Sequence, residues 1–217
     1  MANIAVTPLD RPTLKASAGV RASVAVFFFA WLAVVLGLAA RDAFTAAPGR
    51  PPLALLIGLL APLGVFAFAY RAIPSVREFI LSADPRVIVG IQGWRWAGFG
   101  FLSLYAFGVL PGIFAFPAGL GDMAIGVTAP LVLARLLRRA DYASSRGFVM
   151  WNLAGILDLT VAVSIGALVP LFAPGLFGAA TNSAMSRLPL VVIPTYLVPT
   201  FLMLHATALL QARRGRR

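Results

Sequence analysis

The 217 residues are 60% hydrophobic and only 12% charged, with a mean hydropathy of +0.92. That excludes an ordinary water-soluble domain, whose surface needs about 25% charged residues or more. There is no cysteine and one histidine, which excludes disulfides, thiolate metal centres, cysteine nucleophiles and a multi-histidine metal site within one chain.

The net charge of +11 suggests nucleic acid at first sight. Its arginines, however, sit in short loops and at the chain ends rather than on one face. They read as the positive residues that hold loops in the cytoplasm, and no nucleic-acid partner is expected. The length leaves room for about six spans of ~20 residues.

Residues 1–19 form a polar lead. Residues 20–40 are the first expected span. Its apolar run is too long for the ~7–15 residues of a secretory signal, so it reads as an uncleaved helix. A loop with Arg41, Asp42 and Arg50 leads to the second span, 53–73, with Pro62 inside. Glu78 to Ala83 reads as an interfacial segment between charged residues.

Asp84-Pro85 is a helix start, an aspartate N-cap followed by proline at the first helical position. A third span over 85–110 would measure ~39 Å at 1.5 Å per residue and place Arg95 ~15 Å deep. A start at Trp94 would instead make Arg95 an interfacial charge. The apolar run Val87 to Ile91 favours the earlier start. After a turn at Leu110-Pro111-Gly112, Pro117 is taken to open the fourth span, 117–137, with Pro130 inside it.

A basic loop (Arg135, Arg138, Arg139, Arg146) precedes the fifth span, 148–169, which carries Asn152 and Asp158. An uncharged Gly/Ala/Pro-rich loop, 170–186, leads to the sixth, 188–210. Pro189, Pro194 and Pro199 predict a bent or broken helix there. Thr195 and Thr200 are placed to re-satisfy the freed backbone. A basic tail, 212–217, closes the chain. Trp94, Trp96 and Trp151 read as an aromatic belt.

Fifteen of the 18 Lys and Arg residues fall in segments 1–21, 71–95, 135–146 and 213–217, against three (Arg41, Arg50, Arg187) on the other side. The expected architecture is therefore all-α: a polytopic membrane bundle of six transmembrane helices with both termini cytoplasmic. The expected location is a bacterial inner membrane. The cadence Gln92-x-x-Arg95, Pro117-Ala-Gly-x-Gly-Asp122, Trp151-Asn152 and Asp158 resembles bacterial membrane proteins usually labelled uncharacterised, and implies no family or role.

Residues 118–127 and 154–163 align at an offset of 36, with four of ten positions identical, including Asp122 and Asp158. An inverted repeat would leave such a trace, and so would the small residues common to all membrane helices. Gly119, Asp122, Gly126 and Ala129 share one helical face, and Ala154, Gly155, Asp158 and Ala162 do the same. Small residues allow close helix approach, so each aspartate is expected to face protein.

Charges deep in apolar sequence are costly and mark candidate sites. Leaving Asp158 ionised and unpaired costs roughly 2.5–3.5 kcal/mol or more. Protonating it at pH 7 from an ordinary carboxyl costs about 4 kcal/mol. A partner therefore decides the outcome, and an Asp158–Arg95 ion pair is expected. Asp122, five residues past Pro117, reads as shallower and available for capping. Gln92 shares a face with Arg95 and is expected to bond Arg95 or Asn152. Asn152, about 120° round the helix from Asp158, reads as a helix–helix hydrogen bonder. His205 reads as a satisfied hydrogen bonder or a proton-relay partner of Asp158.

The polar cluster Arg95, Asp122, Asp158, His205, Gln92 and Asn152 is thus the candidate binding site. Zinc on His205, Asp122 and Asp158 fits by ligand type, but the carboxylates start from opposite membrane sides, so no metal is expected. No cofactor is expected either. No phosphate loop, nucleophile motif or HExxH pattern is present. The leading reading is binding or transport of a small solute or ion. The alternatives are an intramembrane enzyme using Asp and His, or a structural or partner-binding subunit. The expected partners are the bilayer, with anionic lipid at the basic loops, and the unidentified solute. The sequence neither requires nor excludes an oligomer.

Overall fold

The computed structural model describes residues 18–47, 50–173, 176 and 182–215. Residues 1–17 of the polar lead, residues 174, 175 and 177–181 of the 170–186 loop and the last two residues of the tail lie outside them. The described residues are helical, with no strand among them. Five helices are long and apolar enough to cross a membrane: Ala18–Ala39, Leu53–Ala72, Gly112–Arg138, Arg146–Val169 and Ile193–Gly215. That is the pattern of a multi-pass membrane protein.

In chain order, α1 (Ala18–Ala39) and α2 (Leu53–Ala72) are followed by the short α3 (Pro74–Ser82). Next comes a helical stretch in three pieces: α4 (Pro85–Gln92), a 3-10 segment (Gly93–Gly98) and α5 (Phe99–Ala106). The expected cap is present: the Asp84 carboxylate accepts from the Arg86 N–H at 2.8 Å. The expected continuous span over 85–110 is corrected at both its middle and its end. Phe107 caps α5 and Gly108 follows at φ +69°. The N–H groups of Val109 and Gly108 donate to the Leu104 and Tyr105 carbonyls. This is a Schellman stop, and it needs the left-handed conformation that glycine adopts without penalty.

The next helix, α6 (Gly112–Arg138), starts five residues before the expected Pro117. Pro117 therefore lies inside the helix and forgoes one backbone bond. Burial outweighs that loss: Phe114, Ala115 and Ala118 pack with Phe101, Leu110 and Met185. A short 3-10 turn (Ala140–Ser144) leads into α7 (Arg146–Phe172), which Ser145 caps by accepting from the Phe148 N–H at 3.1 Å.

The sixth expected span, 188–210, begins later than predicted and is broken as predicted. A π turn (Ile193–Leu197) precedes α8 (Val198–Gly215). Pro199 supplies no N–H, and the carbonyl four residues before it, that of Thr195, accepts from Trp31 Nε1 of α1 at 3.0 Å. Thr195 and Thr200 hydroxyls donate to the Val191 and Tyr196 carbonyls, both at 2.6 Å.

Two apolar layers form the core around α6. One holds Ile88, Val89, Ala129, Val132, Leu136, Phe148, Ala208 and Ala212. The other is the Phe101–Phe114–Met185 layer. Along α4–α5, α6 and α7 the polar residues fall between these layers. The outward faces carry exposed Phe29, Phe68, Leu120, Leu131 and Leu157, as a lipid-facing surface requires.

Candidate functional site

Arg95 is the centre of the site. It lies in the 3-10 segment and is 2% exposed, while Trp94 and Trp96 on either side are 68% and 57% exposed. One backbone segment thus turns two indoles outward and the guanidinium inward. The segment can lie this close to α6 because α6 presents glycines to it. A Cβ on Gly126 would overlap the Trp96 backbone, and one on Gly98 would overlap the Asp122 side chain.

Each guanidinium nitrogen has a partner. Nε donates to Asp122 Oδ1 at 2.7 Å. Nη2 donates to Asp158 Oδ2 in a very short contact. Nη1 meets His205 Nε2 at 3.0 Å. The Phe201 ring lies 5.8 Å from the guanidinium carbon, within cation–π range. Arg95 therefore joins four elements: its own segment, α6, α7 and α8.

The arginine also fixes the histidine tautomer. A guanidinium nitrogen can only donate, so His205 Nε2 must accept and the ring proton must sit on Nδ1. From there it donates to Asn152 Oδ1 at 2.9 Å. Asn152 in turn donates through Nδ2 to the Phe148 carbonyl at 2.8 Å. The chain of bonds ends on backbone, and an amide does not pass a proton on. Asn152 and His205 thus hold Arg95 in place. Arg95 stands between His205 and Asp158, so the expected direct relay between those two groups is not formed.

Three further expectations are corrected. Asp122 is not a shallow cap: Pro111 occupies the N-cap position of α6, and Asp122 lies ten residues into it, ~15 Å along. The two carboxylates consequently share one arginine rather than lying at different depths. The depth argument against a shared metal fails with it, but the position between the carboxylates is taken by a guanidinium. Gln92 bonds neither Arg95 nor Asn152. Its Nε2 donates to the Phe201 carbonyl at 3.3 Å, and Oε1 is buried without a partner among the described residues. Trp151 is not a belt residue. Its ring packs edge-on to His205 at 5.7 Å, and its Nε1 donates to Thr128 Oγ1 at 2.9 Å.

Sequence reasoning passed over Phe201, Gly98 and Gly121 as site residues. Gly121 offered a signal, standing within Ala118-Gly119-Leu120-Gly121-Asp122. In the folded chain it faces Asp158, whose Oδ1 occupies the place a Gly121 Cβ would take.

Charge decides what the site can do. Arginine is always protonated, and His205 as bonded is neutral. Two ionised aspartates would therefore leave one surplus negative charge. The Arg95 side chain is fully buried, while those of Asp122 and Asp158 keep 17% and 14% of their surface open. The open side of the cluster is its acidic side. It can accept one proton or one monovalent cation.

No curated protein and no solved structure matches the chain. A family model does match, over residues 51–213, a range that leaves out α1 and contains every residue of the Arg95 cluster. The chain belongs to that family, described as a domain of unknown function, DUF8737.

Proposed function

We propose that the chain crosses a bacterial inner membrane six times and binds and moves a small solute or ion through the Arg95 cluster, in exchange with a proton. The sixth crossing is the interrupted stretch from Pro85 to Ala106. Both termini are cytoplasmic, a reading supported by the fifteen-to-three division of Lys and Arg. One observation carries the functional reading: a single buried arginine is shared by two carboxylates that remain partly open, so charge balance calls for one exchangeable cation. The 3-10 segment that carries Arg95 and the π turn that precedes α8 are two breaks of the kind that recur where helices move or bind.

The test is transport by purified protein in vesicles with a pH-sensitive dye inside. Gradients of sodium, potassium and small ammonium ions are imposed in turn, with and without a membrane potential. Cation-driven proton movement above that of empty vesicles, lost in Asp158→Asn, is expected. No such movement, with Asp158→Asn indistinguishable from the native chain, would sink the transport reading.

A second reading then stands. Every guanidinium nitrogen is already bonded, as in a latch that only locks the four elements together.

A further inference from the structure

The Asp158 side chain keeps 14% of its surface open. Its Oδ2 is held by Arg95, while Oδ1 accepts no hydrogen bond among the described residues and abuts the bare Cα of Gly121. Beside that contact the outward positions of both helices are exposed and uncharged: Leu120 and Ala124 on α6, Ala154, Leu157 and Val161 on α7. These are lipid-facing positions. Any side chain at Gly121 would overlap the Asp158 carboxylate. Asp158 lies twelve residues into α7, ~18 Å along the helix axis, too deep for a lipid headgroup at the interface.

We infer that the seam where the partly open Asp158 carboxylate meets Gly121 is a lateral window from the bilayer to Asp158, and that the solute is an amphiphilic amine with an apolar tail. This rests on the cation-exchange reading above and specifies its substrate class. The amine arrives uncharged through the hydrocarbon, which avoids the cost of carrying an ion there. At the window its nitrogen lone pair takes the carboxyl proton of Asp158. The O–H bond breaks, an N–H bond forms, and an ammonium–carboxylate pair remains with no change in net charge. The tail stays among Leu120, Leu157 and Val161.

Carbodiimides, which attack carboxyl groups, test this without any transport assay. The protein is placed in phosphatidylcholine nanodiscs and treated with lipid-soluble dicyclohexylcarbodiimide or with a water-soluble carbodiimide. The adduct is located by peptide mass spectrometry, with Asp158→Asn as the control. Modification of Asp158 by the lipid-soluble reagent only is expected. Dodecylamine should slow it several-fold and dodecanol should not. Ala124→Phe, which adds bulk at the exposed position one turn beyond Gly121, should slow it as well.

Modification by the water-soluble reagent alone would mean an aqueous entrance. It would overturn the window while leaving the cation site intact. Modification unaffected by dodecylamine would overturn the substrate class. No modification by either reagent in a folded protein would overturn the window outright.

Discussion

The segments 118–127 of α6 and 154–163 of α7 begin with the same Ala-Gly and carry aspartate at the same place, yet they face different kinds of neighbour. On α6 two of the glycines meet backbone: Gly126 lies against Trp96, and Gly119 lies 3.0 Å, measured from an ideal Cβ, from the Gly98 carbonyl. On α7 the corresponding glycine, Gly155, lies against the imidazole of His205. The α6 half therefore packs on the tightened 3-10 segment, which cannot yield without moving the chain. The α7 half packs on a side chain of α8, below the widened π turn, and a side chain can turn aside. One aspartate is held in a rigid seat and the other in a yielding one. If the site has a moving part, it belongs to the Asp158 side.

The largest effect tests what the halves share. Arg95→Gln leaves two carboxylates and His205 Nε2 without their cation. Breaking a buried pair in this way costs about 3–5 kcal/mol. Denaturant or thermal unfolding in detergent should show the greatest loss for this variant, with partial recovery when Asp158→Asn is added. Near-native stability of Arg95→Gln alone would mean that the carboxylates are balanced by something else.

The next effect is a coupling. Asp122→Asn and Asp158→Asn each leave Arg95 one carboxylate. Together they leave it none, so the double variant should lose more than the two single losses combined, by roughly 0.5–3 kcal/mol as for residues in one network. Additive losses would mean that the two ion pairs do not share the arginine energetically.

A third pair of variants separates the halves. Gly126→Ala sets a methyl against backbone and should cost about 1–3 kcal/mol, the usual range for overpacking. Gly155→Ala sets a methyl against the buried imidazole of His205, which can shift only by giving up its bonds to Asn152 and Arg95; its cost should fall in the same range, and it should disturb cation binding more by releasing Arg95 Nη1. Equal disturbance of cation binding by the two variants, or the reverse order, would erase the distinction between a rigid and a yielding half.

Much of this was readable from sequence, for definite reasons. Asp84-Pro85 and the prolines at 189, 194 and 199 act on their own backbone, so the α4 start and the break before α8 follow locally. The Arg95–Asp158 pairing followed from cost, since each group at that depth requires a partner. What escaped depends on tertiary packing. Pro117 looked like a helix start because its missing N–H is harmless there. Only the burial of Phe114 and Ala115 makes the earlier start at Gly112 favourable, and with it the depth of Asp122. Gly121 and Gly155 looked like interchangeable small residues until a carboxylate and an imidazole were found against them. Gln92 was assigned to the nearest charges, whereas it bonds an α8 carbonyl that no local pattern reveals.

The smallest effect reaches the yielding half from outside the family's matched range. Trp31 on α1 donates to the Thr195 carbonyl in the π turn. That turn sets where Phe201 and His205 begin their descent along α8. Trp31→Phe keeps the ring and removes the donor. A single membrane hydrogen bond of this kind is worth about 0.6 kcal/mol, so global stability should barely change. Hydrogen exchange of the backbone amides around 191–198 should nonetheless speed up, because the turn has lost its outside tie, and exchange in the 3-10 segment against α6 should not. Faster exchange in both places would mean that the two halves loosen together, and that the contrast between their seats is one of contact type rather than of mobility.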